Sequence, residues 1–553
     1  MKPIIYQIFT RLYGNRNTNR IPHGTIEENG SGKMADIDAK ALKKIKNLGI
    51  THVWYTGVIR HATQTNYTTY GIPRNHPAIV KGCAGSPYAI TDYYDIDPDL
   101  AIDIPKRMKE FEQLVDRTHR AGLKVIIDFV PNHVARQYHS VRKPTGVVDL
   151  GQRDDKTKAF DAQNNFYYCP KEKFAPSIDL YHGEAIPFEE EPAKATGNDH
   201  FDAHPGQNDW YETVKLNYGV DYCGGHVCHF SPTPATWRQM RDILLFWATK
   251  GVDGFRCDMA EMVPAEFWGW ATAQVKQKHP YIIFIGEVYN PGEYRNYLTS
   301  GFDYLYDKVG MYDTMRAVTC NKQSATTITN AWQATDDIKD NMLYFLENHD
   351  EQRLASDFFA GNAQRGIPAL VASVLMRTNP FMLYAGEEYG ERGMDCEGFS
   401  GRDGRTTIFD YWSLDTLCRA SEGRLTKEEF HLLDIHTKVL NLANTEPAIT
   451  DGTFFDLMYA NPASDHFYPF SNYAFLRRKD DSLLLVAVNF GGAPANVSIR
   501  IPAHAFDFMQ IAEKKVTAVD LLSNDKLSVV LAKDGYVDMC IEGYGARVWK
   551  MTI

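Results

Sequence analysis

The sequence has no apolar run of the ~18–20 residues that a bilayer-spanning helix needs. It also lacks an excess of basic residues: its formal net charge of -11 argues against nucleic acid or an anionic membrane as the main partner. The first nine residues, MKPIIYQIF, have neither the long apolar stretch nor the small-residue cleavage site of a secretory signal. We therefore expect a cytoplasmic protein with no nucleic-acid or membrane partner, although a secreted protein whose leader had been removed would begin in the same way.

Cysteine is scarce, scattered and odd in number: the 9 cysteines leave at least one unpaired. Cys257, beside Asp258 on a predicted strand, is expected to be a reduced core residue, which suits a cytoplasm. The stretch 223–229, with Cys169 upstream, places Cys and His at short spacing, as zinc sites do. Because it has neither a C-x-x-C pair nor the spacing of a zinc finger, we favour loop residues over a metal site there.

The chain is too long for one ordinary core, so two or three domains are expected. Its first large part alternates short apolar runs with amphipathic stretches, the pattern of βα units around a parallel sheet. Eight such units predict an α/β fold, a closed (β/α)8 TIM barrel formed by residues 1–133 and 235–443. The predicted strands are residues 4–9, 51–55, 123–130, 252–257, 282–285, 302–306, 342–346 and 381–384.

Two regions depart from this alternation. Residues 134–234 are rich in Asn, Asp, Gly, Pro and His and show no helical period. Because structureless loops of that length are uncommon in compact domains, we predict an inserted domain there. From residue 444 to residue 553 the helical pattern stops, and alternating segments such as 483–488 and 497–501 predict a C-terminal all-β sandwich.

Four short segments each end an apolar run in polar groups that can handle protons or hydroxyl groups. They carry, in order, a His, an Arg-x-Asp pair, a Glu and a His-Asp pair. Four of them at the ends of predicted strands indicate a barrel enzyme whose chemistry lies at the strand ends. The segments are residues 127–133 (IDFVPNH), 254–258 (GFRCD), 285–288 (IGEV) and 345–350 (FLENHD).

These groups suit the splitting of an acetal between sugars, which needs a proton donor and a negative charge on opposite sides of the reacting carbon. Asp258 suits the charged role, because Arg256 points the same way two positions earlier and is expected to keep its pKa low. Glu287 ends a very apolar strand, which favours a protonated carboxyl and hence the general acid, then base. As a retaining pair, their carboxyl groups should lie ~5–5.5 Å apart. The 31 Tyr and 9 Trp suit sugar rings and a large core equally well.

On these motifs the chain resembles the α-amylase family of glycoside hydrolases (family 13), over nearly its whole length. The four segments look like the family's first to fourth signature segments, and Lys215–Tyr218 (KLNY) resembles the short fifth segment inside the insert. The resemblance implies that Asp258 is the nucleophile and Glu287 the acid/base. It also implies that Asp350 is the third carboxylate, which grips sugar hydroxyls and stabilises the transition state.

Further residues are predicted to hold the sugar. His133 and His349 resemble family histidines that hydrogen-bond the sugar in the cleaved subsite. Tyr88, in the segment SPYAITDY, resembles the aromatic residue that stacks on the same ring. The residues alone leave a core role open for His349 and for Tyr88. The predicted substrate-binding residues are Tyr88, His133, Arg256 and His349.

Asn132 resembles a position that often ligates calcium in this family through its side-chain oxygen. A calcium ion takes six to eight oxygen ligands, and the sequence identifies no others. The alternative is that Asn132 only holds the turn after the third strand. Calcium at Asn132 is the one metal prediction, and no organic cofactor is expected.

The chain departs from the family pattern just after the nucleophile segment. Many α-amylases carry Lys-His there, which helps to bind the leaving-group side, whereas this chain has Glu261 and Met262. A carboxylate in place of a cation is expected to change that subsite, which leaves the acceptor open. The insert and residues 386–412 are expected to set linkage and chain length.

The resemblance implies a retaining hydrolase of α-1,4-glucosidic bonds in starch- or glycogen-derived α-glucans or maltooligosaccharides. The same three carboxylates would also serve an α-glucan transglycosylase (a glucanotransferase) or an α-1,6-glucosidase. A non-catalytic sugar-binding barrel is a further alternative, and the presence of Asp258, Glu287 and Asp350 together argues against it. The expected partner is an α-glucan or oligosaccharide.

Overall fold

The computed structural model describes residues 2–177, 187–393 and 398–553. Eight parallel strands close into a barrel in which each strand pairs with its neighbours in the sequence and the last pairs with the first. This confirms the predicted TIM barrel. The strands are Ile4–Phe9 (β1), His52–Thr56 (β2), Lys124–Phe129 (β3), Gly254–Cys257 (β4), Ile283–Gly286 (β5), Tyr304–Tyr306 (β6), Met342–Phe345 (β7) and Phe381–Tyr384 (β8).

Large apolar side chains fill the inside of the barrel. Alternate residues of a strand point inward and outward, so a strand with helices outside and side chains inside is apolar on both faces. This is why short, almost wholly apolar runs predicted the strands. The inward-facing cluster consists of Ile5, Trp54, Ile126, Ile285, Tyr306, Tyr312, Leu343, Phe345 and Met382.

Helices cover the outside of the barrel and bury their apolar faces on it. In the helix Arg107–Arg120, Phe111, Leu114 and Val115 are buried at helical spacing. Gly122 turns the chain in the left-handed region (φ 73°) just after this helix ends. Of the helices in the described part of the chain, none has the length and apolar character needed to cross a bilayer. The helices of the barrel region include Ala39–Asn47, Arg107–Arg120, Ala235–Thr249, Ala265–Lys278, Tyr294–Thr299, Asp313–Thr319, Thr327–Ala334, Ile367–Leu375, Asp415–Glu422 and Lys427–Thr445.

The insert after β3 is built from short strand pairs and loops, and its residues 178–186 lie outside the described ones. Its described residues contain no helix. Because His133 follows β3 after only three residues, the first strand pair fastens the insert to the rim of the barrel. The antiparallel pairs are His133–Ala135 with Thr213–Lys215, Tyr168–Cys169 with Ala193–Lys194, and Val220–Asp221 with Val227–Cys228.

The C-terminal region is antiparallel sheet, as predicted for an all-β domain. Its strands are Thr453–Asp456 (β9), Asn472–Lys479 (β10), Ser482–Asn489 (β11), Ala495–Arg500 (β12), Lys514–Asp520 (β13), Lys526–Leu531 (β14), Tyr536–Ile541 (β15) and Gly545–Thr552 (β16). Six form one sheet in the order β9-β10-β11-β16-β13-β14, and β12 pairs with β15. The prediction that helices stop near residue 443 is wrong, because Ala503–Met509 is helical.

The helix Ile367–Leu375 joins this domain to the barrel. All nine of its residues are buried, because it packs on β7 on one side and on β11 and β16 on the other. A helix that is apolar all round, IPALVASVL, suits a position between two layers. Burial of this helix by both domains favours one packed body over two loosely tethered ones.

Candidate active site

Two neighbouring strands bring the central carboxylates together. In the register of β4 and β5, Cys257 lies opposite Gly286, so the next residues, Asp258 and Glu287, leave the barrel side by side. The pairing continues in the backbone, where the Glu287 N–H donates to the Cys257 carbonyl at 3.1 Å. Both side chains therefore reach the opening at the carboxyl ends of the strands, where catalytic residues of this fold lie.

A buried arginine lies against both carboxylates. Arg256 is 0% exposed; its Nη1 donates to Asp258 Oδ1 at 2.7 Å, and its Nη2 lies 2.8 Å from Glu287 Oε2. Its Nε donates to the Tyr306 hydroxyl at 3.2 Å. One planar guanidinium thus holds the two acids beside each other. The structure places Arg256, predicted to bind substrate, beneath the acids and in contact with them.

Asp258 keeps one oxygen available. It is 5% exposed, and its Oδ2 has no hydrogen-bond partner among the residues that the structure describes. Burial raises its pKa well above the usual value; Arg256 opposes this shift, and the charges of Glu287 and Asp350 add to it. The prediction that Arg256 keeps this pKa low is therefore wrong. The reason is that Asp258 is buried and shares the one guanidinium with Glu287, while the further carboxylate Asp350 lies 3.9 Å from the same guanidinium.

Glu287 is held by hydrogen bonds to both oxygens. The Tyr289 hydroxyl donates to Oε1 at 2.5 Å, and the backbone N–H of Met259 donates to Oε2 at 2.7 Å. Met259 adopts the left-handed region (φ 42°), which is costly for a residue with a Cβ and is concentrated at functional sites. This turn directs the Met259 N–H, immediately after Asp258, toward Glu287.

His349 is held from both sides of its ring. The side-chain amide of Gln7 donates to Nδ1 at 2.8 Å, so the proton of the neutral ring is on Nε2. Nε2 lies 3.1 Å from Asp350 Oδ2 and also contacts the Tyr88 hydroxyl. Burial lowers the pKa of His349 well below its usual value. The ring is therefore a neutral donor between Tyr88 and Asp350, whose side chain is 36% exposed.

His133 lies where the barrel meets the insert. Its backbone pairs with Lys215, and its ring centroid lies 5.2 Å from that of Trp210. Burial lowers the pKa of His133 to about 3, and the charges of Lys215 and Lys81 add to this effect. The imidazole is therefore neutral near pH 7, which suits hydrogen bonds to uncharged hydroxyl groups.

A cavity of about 240 Å³ opens above these residues. Five of the predicted site residues line it, while Arg256, His349 and Asn132 lie behind this wall. The predicted residues in the lining are Tyr88, His133, Asp258, Glu287 and Asp350. Those that sequence reasoning missed are Lys81, Ser86, Trp210, Glu212, Thr213, Met259, Tyr289, Ile408 and Phe409.

Most of the missed residues come from loops that are distant in the sequence. Residues 210–213 belong to the insert, and Ile408 and Phe409 belong to the predicted segment 386–412, of which 394–397 lie outside the described residues. Tyr289 could have been found, because a residue two positions after Glu287 on an extended chain points to the same side. For the others, no spacing in the sequence indicates that they meet the strand ends.

The oxygen of Asn132 predicted to bind calcium is already engaged. Lys215 Nζ donates to Asn132 Oδ1 at 2.5 Å, and Asn132 Nδ2 donates to the Gly197 carbonyl at 2.8 Å. The stretch 223–229 carries exposed free thiols at Cys223 and Cys228. Within residues 2–177, 187–393 and 398–553, no group of three or more His, Cys, Asp or Glu side chains is arranged to hold a metal ion.

Glu261 and Met262, which follow the nucleophile segment, both contact neighbouring loops and strands. Glu261 Oε2 accepts the backbone N–H groups of Tyr289 and Asn290 at 3.1 and 3.0 Å. The Met262 carbonyl accepts from Lys215 Nζ at 3.2 Å. The Glu261 carboxylate therefore holds the loop after β5, and Tyr289 of this loop donates to Glu287. Glu261 and Met262 are not among the residues that line the described cavity.

The family follows from the match of one sequence model. The model of the α-amylase catalytic domain matches residues 7–424 of the chain, which span all eight barrel strands apart from the start of β1. The chain belongs to the α-amylase family. It is therefore an enzyme of a family of glycoside hydrolases and transglycosylases.

Relatives within the α-amylase family are distant. Alpha-amylase 3 of Dictyoglomus thermophilum is 24% identical over 409 residues, 70% of this chain and 64% of that protein. Neopullulanase 2 of Thermoactinomyces vulgaris is 21% identical over 514 residues, 90% of this chain and 71% of that protein. The chain thus spans about two thirds of the length of these relatives.

The fold agrees with solved structures along the whole chain. The crystal structure of a noncanonic maltogenic α-amylase, AmyB from Thermotoga neapolitana, superposes with a TM-score of 0.64. The match covers 100% of this chain and 99% of that one at 19% sequence identity. At that identity, the likeness supports the shared fold of this α-amylase-family enzyme.

Replacing Glu261 by alanine is expected to lower kcat about 10–100-fold, with a smaller effect on KM, because the loop that carries Tyr289 loses its anchor and Glu287 loses its support. The matched variant Glu261→Gln keeps one acceptor oxygen for the two N–H groups and is expected to stay within about 5-fold of the parent. Steady-state kinetics, with the same substrate for both variants and the parent, checks both. Equal losses in the two variants would show that the charge, rather than the anchoring oxygen, matters.

Replacing Arg256 by methionine is expected to destabilise the fold by about 3–5 kcal/mol at pH 7.5, because buried carboxylates lose their cation. Burial raises the pKa of Asp258 and Arg256 opposes that rise, so removal of Arg256 is expected to raise the pKa further. The buried carboxylates of the variant take up protons as the pH falls and then no longer need the missing cation, so the deficit should shrink toward pH 5.

Urea denaturation of Arg256→Met at pH 5 and pH 7.5 measures this difference. The control is Arg295→Met, which removes an exposed ion pair with Asp337 (2.7 Å) and is expected to cost less than about 1 kcal/mol at either pH. A deficit in Arg256→Met that is equal at both pH values would contradict the account.

Proposed function

We propose that this enzyme is a retaining α-glucan hydrolase that cleaves α-1,4-glucosidic bonds in starch- or glycogen-derived chains. The observation that carries the proposal is the placement of Asp258 and Glu287 on one guanidinium at the floor of the cavity. One acid has a free oxygen, and the other has both oxygens oriented by hydrogen bonds. Two carboxyl groups with different surroundings suit two different roles in glycoside cleavage.

In the first step, Asp258 reacts as a carboxylate, and its Oδ2 attacks the anomeric carbon of the sugar. The bond from that carbon to the leaving oxygen breaks, its electron pair goes to the oxygen, and the carboxyl proton of Glu287 neutralises it. A covalent glycosyl ester on Asp258 and a shortened glucan result. Arg256 stays bound to the other oxygen of Asp258, so the attacking oxygen keeps its direction.

In the second step, Glu287 is a carboxylate and takes a proton from water. The water oxygen attacks the anomeric carbon, and the bond to Asp258 breaks and returns the carboxylate. Each step inverts the carbon once, so the product keeps the α-configuration. The hydrogen bonds from Tyr289 and Met259 hold Glu287 in place for both directions of proton transfer.

Neutral polar groups around the acids suit a neutral sugar. Asp350 offers acceptor oxygens at the more open side of the site, and the His349 Nε2–H lies beside it. The neutral His133 ring and the Tyr88 ring, whose hydroxyl contacts His349, also line the cavity. Carboxylate, imidazole and phenol groups can pair with vicinal hydroxyls, and aromatic faces can pack on the apolar face of a pyranose.

One time course separates this proposal from its alternatives. Starch, glycogen, pullulan, isomaltose and maltotriose are digested, products are resolved, and proton NMR identifies the first anomer formed. The expected result is shorter α-1,4 products released as the α-anomer. An early β-anomer contradicts double displacement, chains longer than the input indicate a glucanotransferase, cleavage of isomaltose indicates an α-1,6-glucosidase, and binding without turnover indicates a non-catalytic barrel.

A further inference from the structure

A buried lysine lies at the junction of the barrel, the insert and the loop after the nucleophile. Lys215 is 1% exposed, and its ammonium group contacts three oxygens from three separate segments. Nζ donates to Asn132 Oδ1 at 2.5 Å, pairs with Asp199 Oδ1 at 2.6 Å and donates to the Met262 carbonyl at 3.2 Å. Two of these contacts are hydrogen bonds and the third, with Asp199, is an ion pair, so the ammonium group is surrounded by oxygens on three sides.

These oxygens are of the kind that would hold a hard metal cation. A side-chain amide, a carboxylate and a backbone carbonyl are calcium ligands in proteins. Here all three point at an ammonium group that already supplies the positive charge. A second cation at the same oxygens would meet Lys215 at contact distance, and the remaining polar group of Asn132 is bound to Gly197. The residues present do not fit a metal ion.

We propose that the Lys215 ammonium group takes the place of a metal ion as the cation that ties the insert to the barrel and positions both His133 and the loop after Asp258. Lys215 is not one of the described residues that line the cavity, so it acts through its neighbours. The kinetic part of this proposal rests on the proposed function, while the cation part stands on the contacts alone.

The connections from Lys215 to the site are short. Lys215 is the strand partner of His133, so the backbone of Lys215 positions the imidazole ring of His133 at the mouth of the barrel. The Met262 carbonyl ends the turn that starts at Met259, whose N–H holds Glu287. Asp199, in the insert, brings a third segment of the chain to the same nitrogen. Loss of the Lys215 ammonium group would therefore loosen both His133, which is proposed to bind the sugar, and the turn that holds Glu287, the proposed proton donor.

The first test measures the thermal midpoint and kcat/KM of the wild-type enzyme in EDTA and in millimolar CaCl₂. Both quantities are expected to be the same in the two buffers. A midpoint that falls in EDTA and recovers with calcium would overturn the proposal, because the fold would then depend on a metal. This arm needs no assumption about the substrate, since the thermal midpoint is informative even if α-glucans are not turned over.

The second test replaces Lys215. Lys215→Met is expected to lower kcat/KM on maltotriose about 10–100-fold and to lower the thermal midpoint. Lys215→Arg keeps the charge and is expected to fold near the wild-type midpoint while losing part of kcat/KM, because a planar fork cannot match three converging oxygens. Lys158→Met, an exposed lysine of the same insert, is the control and is expected to match the wild type. Wild-type kinetics in Lys215→Met would overturn the proposal.

The third test refills the space left by the side chain. In Lys215→Ala, added ethylammonium is expected to restore part of the thermal midpoint and of kcat/KM, and calcium is expected to raise the midpoint of this variant but not that of the wild type. Neutral ethanol at the same concentration is the control. Rescue by ethanol equal to that by ethylammonium would overturn the role of the charge and leave only a packing effect.

Discussion

Replacing Asp258 by asparagine is expected to lower kcat on maltooligosaccharides by about 10⁴-fold or more, because the oxygen that forms the covalent ester is lost. Binding should persist, because the substitution changes one group at the floor of the cavity and leaves in place Asp350, His133 and Tyr88, which line it and are proposed to contact the sugar. The loss is expected in kcat, with Kd for maltotriose within about 5-fold of the parent. Steady-state rates and titration calorimetry measure the two quantities.

The matched control for this variant is Asp242→Asn, the same change on the exposed face of the helix Ala235–Thr249. It is expected to leave both kcat and Kd unchanged. Turnover of Asp258→Asn at more than about a tenth of the parent rate would overturn the nucleophile assignment. A variant that neither turns over nor binds sugar would show that Asp258 holds the site together rather than attacking the substrate.

Replacing Glu287 by glutamine is expected to lower kcat about 10²–10⁴-fold on maltotriose, whose leaving oxygen needs a proton. On an α-maltosyl fluoride, formation of the glycosyl ester is expected to be much less affected, because fluoride leaves without protonation. The contrast between the two substrates isolates proton donation from general damage to the site. Single-turnover rates with each substrate provide the measurement.

Tyr289→Phe is the companion variant, because it removes one hydrogen bond to Glu287 and leaves the carboxyl group in place. It is expected to lose about 10-fold in kcat on maltotriose. Equal losses in Glu287→Gln with maltotriose and with the fluoride would contradict the role of Glu287 as proton donor. So would full activity of Glu287→Gln on maltotriose.

The barrel and the positions of its polar residues were predictable because both depend on short-range pattern. A strand buried on two faces must be apolar, and a residue that ends such a strand must reach the carboxyl-end opening. Asp258, Glu287 and Asp350 were located in this way. Five of the eight predicted site residues line the cavity, and Arg256 and His349 lie directly behind it.

The charge state of the site was not predictable from neighbouring residues. Arg256 two positions before Asp258 suggested a low pKa, whereas the folded site raises it. Burial and the count of carboxylates around one guanidinium decide this direction, and both are properties of the packed site. The same holds for His133 and His349, whose neutral forms follow from burial.

The hydrogen-bond partner of Asn132 was also not predictable from neighbouring residues. The family resemblance predicted a calcium ligand and the residue itself left a turn role open, and 83 positions separate Asn132 from Lys215. Only the pairing of His133–Ala135 with Thr213–Lys215 brings the ammonium group to that oxygen. Likewise, only the structure shows that Glu261 anchors the loop that carries Tyr289; its expected effect on the acceptor subsite stays a prediction.

The sequence by itself determined the fold class, the family resemblance and the residue types available for chemistry, because apolar period and strand-end residues are local features. The tertiary structure alone decided which polar groups meet, how each carboxyl group is solvated and which cation sits beside Asn132. The physical reason is that electrostatics and hydrogen bonding depend on distance and burial in space. Segments that are remote in sequence, above all the insert, determine these distances and this burial.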